Sequence, residues 1–99
     1  MRITPATTFV AIQQVKGEQP TRFMKLARPY SFAEIMNLPV MDEAYLWLDA
    51  NWLLSHGFSP AMVRNHCGTS EVTSVEVTDD GVVLIQTERS VYQAIPDFG

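Results

Sequence analysis

The sequence predicts an α+β fold, a two-layer domain with a four-stranded antiparallel sheet made from two hairpins and three helices between them (ββαααββ). Three observations lead there. Two β-rich runs, residues 7–15 and 21–28, flank Lys16-Gly17-Glu18-Gln19-Pro20, and two more, residues 72–78 and 82–87, flank Asp79-Asp80-Gly81. Between the pairs, residues 41–56 (MDEAYLWLDANWLLSH) have apolar groups at helical spacing.

In the first hairpin, Phe9 and Ala11 are expected to share a face with Phe23, and Val10 and Ile12 to share the other with Met24 and Leu26. Gln13 and Gln14 interrupt the first run, while Arg22, Lys25 and Arg28 keep the second soluble. Ser31-Phe32-Ala33-Glu34 has the spacing of a capping box, so a short helix should start there and end near Asn37-Leu38-Pro39.

Residues 41–56 are expected to form the long helix. At about 100° per residue one face carries Met41, Ala44, Tyr45, Leu48 and Trp52, and another carries Leu46, Trp47, Ala50, Leu53 and Leu54. Asp42, Asp49 and His56 separate them along one edge, with Asn51 and Ser55 near the other. A helix lying on a sheet needs one apolar face, so the second must be covered, either by the short helices at 32–36 and 61–63 or by another molecule.

Gly57 is placed to end that helix in a left-handed conformation, and Ser59-Pro60 supplies an N-cap and first-turn proline for a third helix, residues 61–67, which Gly68 ends. In the second hairpin, Thr78-Asp79-Asp80-Gly81 suits a type I turn followed by glycine. That three-residue loop sets Val75 and Val77 on one face with Val83 and Ile85; a two-residue loop would set them with Val82 and Leu84. Strand 82–85 is apolar on both sides and is expected to be inner or covered. Residues 90–95 either extend it or add a short strand, and residues 96–99 read as a tail.

Ninety-nine residues make one domain, 1–99, able to bury somewhat over roughly 60% of the unfolded chain's surface without staples. The composition, 46% hydrophobic and 18% charged, argues against disorder and leaves much apolar surface to hide. A net charge of -4 opposes attraction to a phosphate backbone or an anionic membrane, so nucleic acid is a disfavoured partner. Cys67 is the only cysteine, which excludes an intrachain disulfide and gives no sign of an oxidising compartment. The N-terminal run reads as a strand rather than a signal peptide, and no run approaches the roughly 18 apolar residues of a membrane span. A cytoplasmic location is the resulting expectation.

Chemistry is sparse. Cys67 follows His66, yet neighbours on a helix point about 100° apart, and a phosphatase-type loop beginning His-Cys would need an arginine where Thr73 stands. His56 and His66 lack metal-ligand spacing, and His56 suits the end of its helix, where the dipole favours a cation. Asp42 and Glu43 suit a helix start and Asp79 and Asp80 a turn. Phosphate loop and nucleophile elbow are both missing from the sequence. No catalytic, cofactor-binding or metal-binding residues are therefore expected, and the chain is expected not to be an enzyme.

The leading expectation is a protein-binding module that self-associates as a homodimer or docks on a larger protein as an inhibitor or adaptor. Its contact residues would be Trp47, Leu54, Asp42, Glu43, Asp49, Asp79 and Asp80, an aromatic patch with an acidic rim. Small acidic domains include phage-encoded inhibitors that block nucleic-acid-handling machines by occupying basic surfaces, and the net charge permits that reading. The alternative is a winged-helix transcription regulator, built on the helix pair around Gly57 and the hairpin after it. Its recognition helix would offer only Arg64, Asn65 and His66, and its wing tip is acidic. A small Cys/His enzyme is the third reading.

Overall fold

The structure is a computed structural model that describes residues 3–16, 23–65 and 67–97. Its elements are β1 (Thr8–Lys16), β2 (Phe23–Ser31), α1 (Phe32–Asn37), the 3₁₀ turn Leu38–Val40, α2 (Ala50–Ser55), α3 (Pro60–Asn65), β3 (Val72–Val77), β4 (Val83–Thr87) and β5 (Val91–Pro96). The strands form one five-stranded antiparallel sheet in the order β2-β1-β5-β4-β3. This corrects the expected four-stranded ββαααββ arrangement: there is a fifth strand, it lies in the middle, and the helices are few and only six residues long each.

Of the two expectations for residues 90–95, the added strand is the one observed; a hairpin without glycine leaves both open. Thr87 makes the β4–β5 turn: its hydroxyl accepts from the backbone N–H groups of Ser90 at 3.1 Å and Arg89 at 3.4 Å, and the Thr87 N–H donates to the Ser90 carbonyl at 2.9 Å. A buried threonine hydroxyl thus does the work usually given to Asn-Gly. β5 then pairs with both β1 and β4, burying Tyr92 and Ala94. Pro96, expected in the tail, is the last residue of β5.

The long helix is the second correction. Only Ala50–Ser55 of residues 41–56 is α-helical. Residues 41–43 form a bend and residues 44–49 run extended, with Ala44, Leu46 and Leu48 buried while Tyr45, Trp47 and Asp49 reach outward. This is period two, hidden in the sequence because both faces carry apolar or aromatic residues. Tyrosine and tryptophan favour strands, and Asp49 is an N-cap, its carboxylate accepting from the Trp52 N–H at 2.9 Å. The helix therefore starts at Ala50.

Residues 44–49 close the sheet. On one side Ala27 N–H donates to the Trp47 carbonyl and Asp49 N–H to the Lys25 carbonyl, both at 2.9 Å. On the other, the N–H groups of Leu48, Thr69 and Val72 meet Cys67 O, Leu46 O and Ala44 O at 2.9, 3.0 and 2.7 Å respectively. The segment thus bridges β2 to the lead-in of β3, the two ends of the strand order, and the 3₁₀ turn packs against β3 beside it. Inside lie Phe9, Ile12, Leu26, Ile35, Leu46, Val72, Val83 and Ile85.

The first hairpin has Ile12, Met24 and Leu26 buried together as expected, but a bulge between Phe9 and Ala11 shifts the register, so Phe9 is buried and Phe23 faces out opposite Gln13. The second adopts the three-residue loop, with Val75 opposite Ile85, Val77 opposite Val83 and Gly81 at φ +82°. The capping box is present in both directions, Glu34 N–H to Ser31 Oγ and Ser31 N–H to Glu34 Oε1, each at 3.1 Å. Gly57 ends α2 at φ +87°. No helix among the described residues is long and apolar enough to cross a membrane.

Candidate functional site

Because residues 44–49 are extended, Tyr45 and Trp47 stand side by side on the outer surface, their rings edge to face with centroids 5.9 Å apart. Trp47 remains 43% exposed although its backbone is fixed on both sides. Its backbone N–H donates to the Tyr30 hydroxyl at 3.1 Å, and Arg28 lies 4.0 Å over the Tyr30 ring. Arg28 also holds Glu34 through two hydrogen bonds, 2.7 and 3.3 Å long. Those bonds, with the Ser31 N–H, hold the Glu34 carboxyl well below its usual range, at about 2, and raise the Arg28 guanidinium. The α1 cap and the Trp47 backbone are thus joined by one chain of polar contacts.

Tyr45 also lines a cleft of about 720 Å³, within the size range of ligand pockets. Met24, Leu48, Leu53, Phe58, Val63 and Tyr92 give it apolar walls, and the exposed Met62 of α3 stands at its side. Its polar groups include Gln14, Thr69, Ser70 and Ser90, with Glu71, Glu88 and Arg89 at the rim. Glu88 N–H donates to the Glu71 carbonyl at 3.1 Å, which sets those two residues beside each other. Gln14, 6% exposed, donates from Nε2 to Ser90 Oγ at 2.9 Å.

The predicted contact residues are spread over several elements. Trp47 and Asp49 share the outer side of the extended segment, where Asp49 caps α2 and lies 3.7 Å from Lys25 Nζ. Leu54 is exposed on α2, Asp42 and Glu43 stand on the bend before the segment, and Asp79 and Asp80 sit at the β3–β4 hairpin tip. An acidic rim around one long helix does not form. Gln14, Glu71, Glu88 and Arg89 were missed as cleft residues. A glutamine interrupting a β-branched run was the one available signal, since an inward-facing amide in a central strand needs a polar neighbour.

Burial pushes the Cys67 thiol up and Asp49 adds to the rise, against a smaller opposing effect of the Leu48 backbone; its Sγ donates to the Leu48 carbonyl at 3.1 Å, and a protonated thiol in that bond is a poor nucleophile. His66 lies outside the described residues. His56 stacks on Trp52 at 3.8 Å, and its Nδ1 donates to the Trp52 carbonyl at 2.8 Å at the end of α2. Among the described residues no group of histidine, cysteine and carboxylate side chains is arranged to hold a metal ion. Comparison with family models, with curated proteins and with solved structures finds no match to this chain.

Proposed function

We propose that this chain is a non-enzymatic protein-binding module that docks on a larger protein through the Tyr45–Trp47 surface and the adjoining cleft. The observation that carries the reading is Trp47: a large aromatic residue held on a segment hydrogen-bonded on both sides, yet 43% exposed and packed against Tyr45, which lines the cleft. Aromatic anchors next to a pocket are typical of interface hot spots, and a pre-fixed backbone lowers the ordering cost of binding. Asp42, Glu43, Asp79 and Asp80 stand exposed without an ion pair among the described residues, and with the net charge of -4 they favour a basic partner surface. An acidic inhibitor or adaptor fits this description.

The sheet's edges bear on the mode of docking. Residues 44–49 and the 3₁₀ turn flank β2 and β3, so strand addition from a partner has little open edge to use. Docking by side chains into the cleft remains. The test is Trp47→Ala, compared with the wild type by light scattering across concentration and by recovery of bound protein on immobilised chain. Loss of the bound partner, or of a dimer if the partner is a second copy, is expected with the fold intact. Unchanged solution mass and unchanged recovery would refute the reading.

A further inference from the structure

Gln14 is the least expected residue in the cleft. It lies on β1, where a glutamine side chain has no place in an apolar interior, and it is 94% buried, being 6% exposed. Its amide nitrogen is used by Ser90, but its Oε1 accepts no hydrogen bond from the described residues. Among the described residues no fully buried side-chain oxygen or nitrogen lacks a partner, so this oxygen retains access to solvent, and Gln14 lines the cleft. It is an acceptor held at the cleft wall with its valence open. Glu71 and Glu88, set side by side at the rim by their backbone hydrogen bond, form no ion pair among the described residues. Arg89 also lines the cleft, and among its lining residues the two carboxylates leave one negative charge in excess; Lys16 lines a second, smaller depression on Glu88, Arg89 and Ser90 and is not part of the cleft.

We infer that the cleft receives a lysine or arginine side chain of the partner protein, its aliphatic stem against the apolar wall and its cationic head between Gln14 Oε1 and the carboxylates of Glu71 and Glu88. An apolar wall leading to acceptors suits a side chain with a hydrocarbon stem and a charged tip, because the stem loses water where the head finds new oxygen partners. A neutral aliphatic side chain would leave the Gln14 oxygen without a donor once water is displaced. A carboxylate would meet repulsion at the rim. This inference rests on the docking reading above and names the part of the partner that enters.

The probe is the peptide acetyl-Leu-Lys-Leu-amide, followed by amide chemical shifts of the labelled protein at low salt, with the norleucine analogue in place of lysine as control. The lysine peptide is expected to shift the Gln14 side-chain amide and the backbone of residues 68–71 and 88–90, and the norleucine peptide to bind roughly fivefold more weakly. Glu71→Gln with Glu88→Gln should weaken the lysine peptide by a similar factor, roughly fivefold for two partly solvated charges, while the spectrum stays folded. Arg89→Gln should strengthen it. Equal binding of both peptides, no shift at the cleft at millimolar peptide, or weaker binding after Arg89→Gln would each overturn the inference. If the peptides fail while Trp47→Ala still abolishes assembly, the cationic occupant alone is wrong. If the lysine peptide binds but Trp47→Ala changes nothing, the fault lies in the docking reading.

Discussion

Replacing Leu46 by alanine is expected to cost about 3 kcal/mol of folding free energy, and the comparison with its neighbour makes the test sharp. Leu46 is fully buried, at 0% exposure, in the segment that joins the two ends of the sheet. Removing about three carbons at about 0.8 kcal/mol each gives about 2.4 kcal/mol, and an unfilled cavity raises it toward the range of about 3 to 4 kcal/mol. Each kcal/mol lowers the melting temperature of a chain this size by about 4–8 °C, so a fall of at least 12 °C or so should follow. Trp47→Ala and Leu54→Ala leave no enclosed cavity and should cost about 1 kcal/mol or less. Urea unfolding followed by far-ultraviolet circular dichroism measures all three without depending on tryptophan emission. In a continuous helix over residues 41–56, Leu46, Trp47 and Leu54 would lie on one face and their costs would rise and fall together. Equal losses at Leu46 and Trp47 would therefore refute the extended conformation of residues 44–49 and the closure built on it.

Glu34→Gln should lose about 0.5–1 kcal/mol at pH 7, a figure reduced for a carboxylate that is nearly half exposed. The carboxyl titrates near 2 when folded and near 4.3 when unfolded, so its contribution is present above about pH 5 and fades as pH falls toward 2; denaturation of both proteins across that window should converge at the acid end. Gly81→Ala should cost about 1 kcal/mol through its φ of +82° alone, because no atom lies within 4 Å of the added carbon. A thermal melt giving several times that loss would show that the hairpin loop is packed rather than open.

Local chemistry was legible in the sequence wherever one residue type had one use. Ser31 and Glu34 could form a capping box, Gly57 and Gly81 could take positive φ, and Thr78-Asp79-Asp80-Gly81 could form the turn that sets Val75 opposite Ile85; each does so. Residues 44–49 were illegible because tyrosine and tryptophan on the outer face made an alternating extended segment look like a helix with two apolar sides. Asp49 carried the correction, as a cap with Trp52 three residues on, but it fits equally well on a helix edge. Residues 90–95 were left between an extension of the preceding strand and a strand of their own because the turn depends on the Thr87 hydroxyl, and the central place of β5 depends on pairings with strands far away in sequence. The contact residues followed the helix: once it breaks at Asp49, Trp47 and Leu54 no longer share a face, and the cleft that Tyr45 lines has no sequence signature beyond a misplaced glutamine.

The position of β5 between β1 and β4 governs how this chain comes into being. A nascent chain that has released everything up to Thr87 holds two ribbons, β2 with β1 and β3 with β4, joined through residues 44–49 at their outer edges but with no strand between β1 and β4. The inner sides of Ile12 and Ile85 stay bare until the final strand emerges. Native structure must therefore arrive late and all at once, through the pairing most distant in sequence, which is the slow kind. During that wait the exposed ribbons invite association with other chains, and a chaperone or the partner itself would find its best opportunity then. Loss of a few residues after Ser90 would not fray an end; it would open the sheet at its centre, between β1 and β4.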